Sequence, residues 1–250
     1  GDHPLRAGGR HLARPMTPES IRTRLHTRVV GKRIVCVERC ASTNDLAWQA
    51  ALDGAPDGAT IFAEEQAKGR GRLGRDWVSP RGANLLVSVV LRARLEIERV
   101  PLITALGALA VTDAVDLPAR IRFPNAVVVD GRKLAGILVE SRFISASPDL
   151  FILGIGLNVN AHPPDLPATS LAREKGKEQS RTIVARALLE VDRAMPLDQG
   201  LDHWAKTKPG STTLEGARRL GRDARSRYME SNPSEQLREL FFDLVTLQPR

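Results

Sequence analysis

Gly69-Arg70-Gly71-Arg72-Leu73-Gly74-Arg75, flanked by Gln66 and Trp77, is the stretch that decides how this sequence is interpreted. Its glycines allow sharp bends and close approach of the backbone to a ligand, and its arginines carry permanent planar charges that suit phosphate or carboxylate. The apolar segments on either side, 59–63 and 84–91, are typical of strands. The stretch is therefore predicted to be an anion-binding loop inside a folded domain, although the same composition also occurs in nucleic-acid-binding tails.

Length and composition limit the class of protein. The chain has 250 residues, of which 42% are hydrophobic and 26% charged, as expected for a globular domain with one core. No apolar run approaches the roughly 20 residues that span a bilayer, and no signal peptide is evident. Cys36 and Cys40 have no histidine or further cysteine nearby, so we expect no metal site built from protein ligands. A cytoplasmic, reducing location is predicted.

The net charge of +8 raises the question of nucleic-acid binding. The basic surplus is concentrated in residues 1–40 and 206–227, and neither region interleaves aromatic residues with its charges. No helix-turn-helix or zinc-finger pattern is present. General attraction to polyanions stays open, whereas specific DNA binding is not expected.

The chain is predicted to divide into a mobile tail (1–17), a main domain (18–205) and a basic, then helical, C-terminal segment (206–250). Many strand-like segments are interrupted irregularly by helices, which favours an α+β fold with a mixed, mostly antiparallel sheet flanked by helices. One largely buried helix is expected over residues 102–115, with its buried stripe at Leu102, Leu106, Leu109, Ala110 and Ala114.

Four segments have both a structural and a functional interpretation. The polar residues Ser42, Thr43 and Asn44 fit a helix cap, and they also fit hydrogen bonding to a polar ligand. Lys133 follows a predicted Asp130-Gly131 hairpin and is either a surface lysine or a residue that reaches an anion. Gly154-x-Gly156 allows either a neighbouring backbone or a ligand to approach a strand closely. Trp77 is either a core residue or a stacking surface for adenine.

Five motifs in register resemble the biotin protein ligases over residues 20 to 205. The motifs are Ser42-Thr43-Asn44, Glu65-Gln66 leading into the loop 69–75, Arg122-Phe-Pro-Asn125, Gly131-Arg-Lys-Leu-Ala-Gly-Ile-Leu138 and Gly154-Ile-Gly-Leu-Asn-Val-Asn160. The resemblance implies a biotin/lipoate ligase-like domain that activates biotin with ATP and Mg²⁺ as biotinyl-5′-adenylate. The biotin then passes to a lysine of a biotin carboxyl carrier protein, as in acetyl-CoA carboxylase.

The resemblance also implies roles for individual residues. Catalytic roles fall on Arg70, Arg72 and Lys133. Biotin contacts fall on Ser42, Thr43, Asn44, Gln66, Gly69, Arg70, Arg72, Lys133 and Gly136. ATP contacts fall on Arg72, Arg75, Trp77, Asn125, Lys133 and Asn158.

Two departures from the family pattern stand out. Arg122-Phe123-Pro124-Asn125-Ala126 replaces the usual Lys-Trp-Pro-Asn-Asp, so Ala126 removes a carboxylate. The C-terminal segment does not resemble the small β-barrel common in the family, and no N-terminal DNA-binding domain or repressor activity is expected. A lipoate or octanoate ligase or transferase and a catalytically impaired biotin-binding relative are the alternatives. Monomer and homodimer are both compatible with the sequence.

Overall fold

The computed structural model describes residues 14–92, 100–142 and 149–190. The strands are β1 (Ile34–Cys40), β2 (Thr60–Gln66), β3 (Leu85–Arg92), β4 (Arg120–Arg122), β5 (Ala126–Val129), β6 (Arg132–Arg142) and β7 (Leu150–Leu157). The helices are α1 (Pro18–Arg22), α2 (Thr43–Leu52), α3 (Val100–Ala114), α4 (Leu171–Lys175) and α5 (Arg181–Leu189). The expected C-terminal helix after residue 234 and the segment 206–250 lie outside the described residues.

The strands form one seven-stranded sheet in the order β1-β2-β3-β7-β6-β5-β4. Only β1 and β2 are parallel, and α2 makes the crossover that a parallel pair requires. The other neighbouring pairs are antiparallel, which confirms the predicted mixed, mostly antiparallel α+β fold. The hairpin between β5 and β6 turns at Asp130 (φ 47°) and Gly131 (φ 76°), the left-handed pair that an Asp-Gly dipeptide favours.

Helices cover the two faces of the sheet unequally. The larger core lies on one face, where α3 and α5 contribute residues such as Ile103, Val111 and Leu188. On the other face, Ala47 and Trp48 of α2 cover a smaller apolar group in β2, β3 and β7. Because α2 covers only part of its face, the neighbouring part of the sheet is left for other groups.

The burial of α3 and of the N-terminal residues differs in part from what the sequence predicted. In α3 the fully buried apolar side chains are Ile103, Ala108 and Val111. Of the predicted stripe, Leu109 is buried, Leu106 is half-buried, and Ala110 and Ala114 are half-buried and pack against the core, while the side chain of Leu102 lies outside the described part of the structure. At the N-terminus, Met16 belongs to the predicted tail but is buried, and its backbone N–H donates to Glu64. Residues 1–13 lie outside the described part of the chain, and none of its helices is long and apolar enough to cross a membrane.

Candidate active site

The candidate site begins at the N-terminus of α2, which faces the sheet. Ser42 caps the helix by accepting a hydrogen bond from the Asn44 backbone N–H, as the cap interpretation expects. Thr43 and Asn44 point inward and are buried together with Ser42. The cap and the inward-facing polar groups are therefore neighbouring residues with separate tasks.

A row of buried hydrogen bonds extends from this helix end. Gln66 Oε1 accepts from the backbone N–H and the hydroxyl of Thr43, at 2.7 and 2.9 Å. Ser88 Oγ donates to Asn44 Oδ1 at 2.6 Å and lies 2.8 Å from Thr43 Oγ1. Asn44 fits because residue 154 is a glycine. A Cβ added at that position would lie 2.4 Å from Asn44 Oδ1. We call Gln66, Thr43, Ser88 and Asn44 the polar row.

The glycine- and arginine-rich loop is closed at its base like a short hairpin. Trp77 N–H donates to Gly69 O at 2.9 Å, and Gly71 N–H donates to Arg75 O at 2.6 Å. The loop turns at Leu73 (φ 59°) and Gly74 (φ 71°), and Leu73 is 88% exposed. At Gly69 a side chain is excluded, because a Cβ would lie 2.4 Å from the Trp77 carbonyl oxygen. The loop thus projects from the sheet with a defined shape.

Arg70, predicted to bind an anionic ligand, is paired with two carboxylates of the protein itself. Its Nη1 and Nη2 donate to Asp45 at 3.1 and 2.7 Å, and its Nε donates to Glu140 at 3.0 Å. The hydrogen bonds to Asp45 and then to Glu140 raise the pKa of the Arg70 guanidinium above its ordinary value. Glu140 also accepts from Asn44 Nδ2 at 2.9 Å, which connects the loop to the polar row.

Trp77 lies directly on the sheet, above paired glycines of β6 and β7. A Cβ at Gly156 would lie 2.4 Å from indole Cε2, and one at Gly136 would lie 2.9 Å from Cζ3. Gly136 and Gly156 are opposite each other in register, so they form one flat contact area. The indole N–H of Trp77 is buried and has no hydrogen-bond partner within the described residues.

Lys133 stands at the far side of the indole from the polar row. Its Nζ lies 5.2 Å from the centroid of the Trp77 ring and 3.3 Å from the place of a Gly136 Cβ. The pKa of Lys133 is lowered, first by partial burial and then by the positive charges of Arg122 and Arg75. Lys133 is therefore partly desolvated and lies near two other positive charges.

Three arginines near this end have no carboxylate partner in the described segments of the chain. Arg72 and Arg75 belong to the loop, and Arg122 ends β4. Arg75 and Arg122 are exposed, and Arg72 is half-buried. Arg122 and Arg75 lie close enough to Lys133 to lower its pKa, and Arg72 belongs to the same loop as Arg75. We call these four residues the cation group, and no carboxylate of the described segments is paired with any of them.

Asn125 and Asn158, predicted to lie near a nucleotide, both use their amide donors inside the protein. Asn125 Nδ2 donates to Ile137 O at 2.9 Å, and Asn158 Nδ2 donates to Thr169 O at 3.0 Å. The buried Oδ1 of Asn158 has no partner in the described structure. Asn158 thus retains one acceptor, and its Nδ2 also lies 3.5 Å from Lys133 O.

Most of the predicted site residues converge on this one region of the sheet. The structure adds three residues that the sequence interpretation missed: Asp45, Ser88 and Glu140. Ser88 and Glu140 gave a local signal only in being polar residues within apolar strands, while Asp45 looked like an ordinary residue of a helix start. The described residues contain no cluster of three or more His, Cys, Asp or Glu side chains that could hold a metal ion.

Comparison with known proteins identifies a matching family model and similar relatives. The model of the Biotin/lipoate A/B protein ligase family matches residues 36–158. A biotin–[acetyl-CoA-carboxylase] ligase of Mycobacterium tuberculosis is 31% identical over 210 residues, covering 79% of this chain and 75% of the relative. The bifunctional ligase/repressor BirA of Bacillus subtilis is 32% identical over 196 residues, covering 74% of this chain.

Among solved structures, the biotin protein ligase from Aquifex aeolicus in complex with biotin and ATP is similar, with a TM-score of 0.54 and 27% identity. The match covers 71% of this chain and 73% of the Aquifex chain. The match to the Bacillus relative spans only 60% of that protein's length. Sequence and fold therefore agree on the family, while the match spans different shares of the two relatives' lengths.

Proposed function

Because this chain belongs to the biotin protein ligase family, we propose that it joins biotin to ATP and transfers the biotin to a carrier protein. The first reaction forms biotinyl-5′-adenylate and releases pyrophosphate. The second attaches biotin to a lysine of a biotin carboxyl carrier domain. The proposed activity is that of a biotin–[acetyl-CoA-carboxylase] ligase, the activity in the name of the Mycobacterium relative.

The order of chemical groups along the sheet is the observation that carries this proposal. The polar row lies over Gly154, the Trp77 indole over Gly156, and Lys133 beyond it. Biotin has the same order: a polar ureido ring, a hydrocarbon body and a carboxylate. We propose that the polar row binds the ureido group and that the carboxylate faces Lys133. The hydrocarbon is proposed to pack against Trp77, which lies on Gly136 and Gly156, so this tryptophan is assigned to biotin here rather than to adenine.

In the first reaction, a carboxylate oxygen of biotin attacks the α-phosphorus of ATP, and the bond from that phosphorus to the pyrophosphate oxygen breaks. Two anions must approach, so the barrier falls when fixed cations stabilise the charge that they bring together. We propose that Lys133 stabilises the reacting carboxylate and α-phosphate. Arg72, Arg75 and Arg122 are proposed to bind the phosphates, a role supported by the lack of a paired carboxylate at each of them in the described structure.

In the second reaction, the ε-amine of the carrier lysine attacks the acyl carbon of the adenylate. An amide bond forms, AMP leaves, and the amine loses its proton to solvent or a nearby base. Until the carrier arrives, water must be kept from the mixed anhydride. We propose that the loop 69–77 covers this anhydride. Arg72 and Leu73 lie at the tip of the loop.

Mg²⁺ is proposed to enter with the triphosphate of ATP. Mg²⁺ is commonly bound through substrate phosphates with one or two carboxylates and several waters, so it does not need a cage of protein ligands. Asp45 and Glu140, two acidic groups close to the loop, are already engaged by Arg70. The ion would supply charge neutralisation on the phosphates, and the residues of this chain would position the acid and exclude water.

The carrier and the compartment are part of the same proposal. Cytoplasmic location fits the use of ATP and the free thiols of Cys36 and Cys40. The acceptor is proposed to be the biotin carboxyl carrier protein of acetyl-CoA carboxylase or of a related carboxylase. A homodimer remains a prediction, and light scattering after size-exclusion chromatography tests it.

Exchange of label between pyrophosphate and ATP tests the first reaction without any carrier. The purified protein is assayed with biotin, lipoate, octanoate or no acid. Exchange with biotin alone is the expected result. Exchange with lipoate or octanoate in its place would identify a different acyl ligase. Absence of exchange with every acid, while biotin still raises the melting temperature, would identify a binding protein that has lost the chemistry.

A further inference from the structure

Arg70 differs from the other arginines of its loop in electrostatic surroundings. Its single positive charge lies between two carboxylates, with Asp45 Oδ1 at 2.7 Å and Glu140 Oε1 at 3.0 Å from its nitrogens. The group of Arg70, Asp45 and Glu140 therefore has a net charge of −1. A group of that charge does not attract a carboxylate or a phosphate, so Arg70 is better suited to holding the loop than to binding an anion.

Glu140 is the centre of this arrangement because it bonds two separate elements at once. Its Oε1 accepts from Arg70 Nε at 3.0 Å, and its Oε2 accepts from Asn44 Nδ2 at 2.9 Å. Asn44 in turn accepts from Ser88. One carboxylate on β6 thus fixes both the start of the loop and an amide of the polar row.

We propose that Glu140 is a positioning residue that sets the glycine- and arginine-rich loop and the Asn44 amide in their binding arrangement. Arg70 acts as its partner in the loop, leaving Arg72 and Arg75 as the loop cations that face ligand. The role rests on the proposed function, since the ligand that the loop and polar row receive is the proposed biotin and ATP. The contacts themselves are independent of any ligand.

Limited trypsin digestion tests the loop directly, because exposed Arg75 and half-buried Arg72 are cleavage sites whose protection depends on loop order. Glu140→Gln keeps the size of the side chain and removes its charge. Loss of the charge weakens the hydrogen bonds from Arg70 to Glu140 that hold the loop, so cleavage after Arg72 and Arg75 is expected to rise about tenfold or more. Glu38→Gln is the matched control, since Glu38 pairs with Arg81 at 3.0 Å on an exposed part of the surface.

A second variant keeps the proposal testable if Glu140→Gln folds poorly, and a double-mutant cycle tests the pairing of Glu140 with Arg70 directly. Asp45→Asn removes only the more exposed of the two carboxylates and should raise loop cleavage while leaving the Asn44–Glu140 bond intact. In a double-mutant cycle, Glu140→Gln should add little to the cleavage rate once Arg70→Met is present. Independent, additive effects of the two substitutions would overturn the pairing.

Kinetics separate positioning from general stability. Glu140→Gln is expected to raise the KM for biotin about tenfold with a smaller change in kcat, and Glu140→Asp, which keeps the charge, should recover part of that loss. Unchanged cleavage and unchanged KM in Glu140→Gln would overturn the proposal. Raised cleavage in a protein that shows no exchange with any acid would support the positioning role and refute the proposed ligase function instead.

Discussion

The two ends of the site differ in how their polar groups are satisfied. In the polar row, Ser88 is hydrogen-bonded to both Thr43 and Asn44, and Thr43 is hydrogen-bonded to Gln66. In the cation group, Lys133, Arg72, Arg75 and Arg122 have no carboxylate partner in the described structure. One end is preformed by internal hydrogen bonds, and the other retains positive charge for a ligand to neutralise. The first arrangement suits a neutral polar group of a ligand, and the second suits a negatively charged group.

Lys133→Met should have the largest effect, since it removes a partly buried charge that is proposed to face the reacting groups. Pyrophosphate exchange is expected to fall by about a thousandfold, as when a fixed charge at a reacting group is lost. The melting temperature at neutral pH should be equal or higher, because the folded protein no longer carries a charge in a position that lowers its pKa. Lys32→Met, at an exposed lysine, is the matched control for both measurements.

The pH dependence of exchange tests the same charge without removing it. The pKa of Lys133 lies below its ordinary value of 10.5, so the lysine loses its proton at a lower pH than an exposed lysine does. Exchange is expected to decline as pH rises through that lowered pKa, and Lys133→Arg should lose this decline. Below the lowered pKa the buried charge destabilises the fold; the penalty disappears as pH rises towards 10.5. An identical decline in both proteins would assign it to another group.

Gly156→Ala should disturb the contact of Trp77 with Gly136 and Gly156, which lies between the two ends of the site. The new Cβ would lie 2.4 Å from Trp77 Cε2, so the indole must move away from the sheet. Overpacking of this kind costs about 1–3 kcal/mol, and a loss of about tenfold to a hundredfold in kcat/KM for biotin is expected. Unchanged kinetics with an unchanged melting temperature would show that Trp77, Gly136 and Gly156 do not form the middle of the site.

Ser88→Ala tests the preformed end. It leaves Asn44 Oδ1 without its donor in a buried position, which costs about 1–3 kcal/mol. The KM for biotin should rise about tenfold, while kcat changes little because the reacting groups lie at the other end. Thr112→Ala is the control, since it removes one hydroxyl from α3 on the opposite face of the sheet. A loss confined to kcat would contradict the assignment of this end to binding.

Local patterns were enough to predict several elements. The Asp130-Gly131 turn, the Ser42 cap and the loop 69–75 each depend on the conformational preferences of adjacent residues, which the sequence shows directly. The buried stripe of α3 was predicted only in part. Leu109 is buried and Ala110 and Ala114 pack against the core, but the fully buried Ile103 and Val111 were not predicted, because this helix is apolar on more than one side. Hydrophobic periodicity does not select one face when several faces are apolar.

Long-range pairing was also beyond the sequence. Arg70, Arg72 and Arg75 look equivalent in the chain, yet only Arg70 is paired in the described structure, and one of its partners is 70 residues away. Sequence spacing does not reveal such a contact, since it depends on how β6 lies beside the loop. The positions of individual charges, rather than the presence of a basic loop, are what the structure adds.

Ala126→Asp tests the cation group at its edge and should have the smallest effect. Ala126 is paired in register with Arg122 on one side and with Gly136 on the other, so a carboxylate there would face the site beside Arg122. Arg122 is exposed, so its partial neutralisation by such a pair is worth up to about 1 kcal/mol, and the KM for ATP is expected to rise about threefold. Ala126 itself is buried, so the melting temperature is measured in parallel to detect the cost of burying a carboxylate. Ala126→Asn has nearly the same shape without the charge and should leave that KM unchanged. A gain in kcat/KM with Asp alone would mean that a carboxylate belongs at this position, and that Arg122 does not act on phosphate as an unpaired cation.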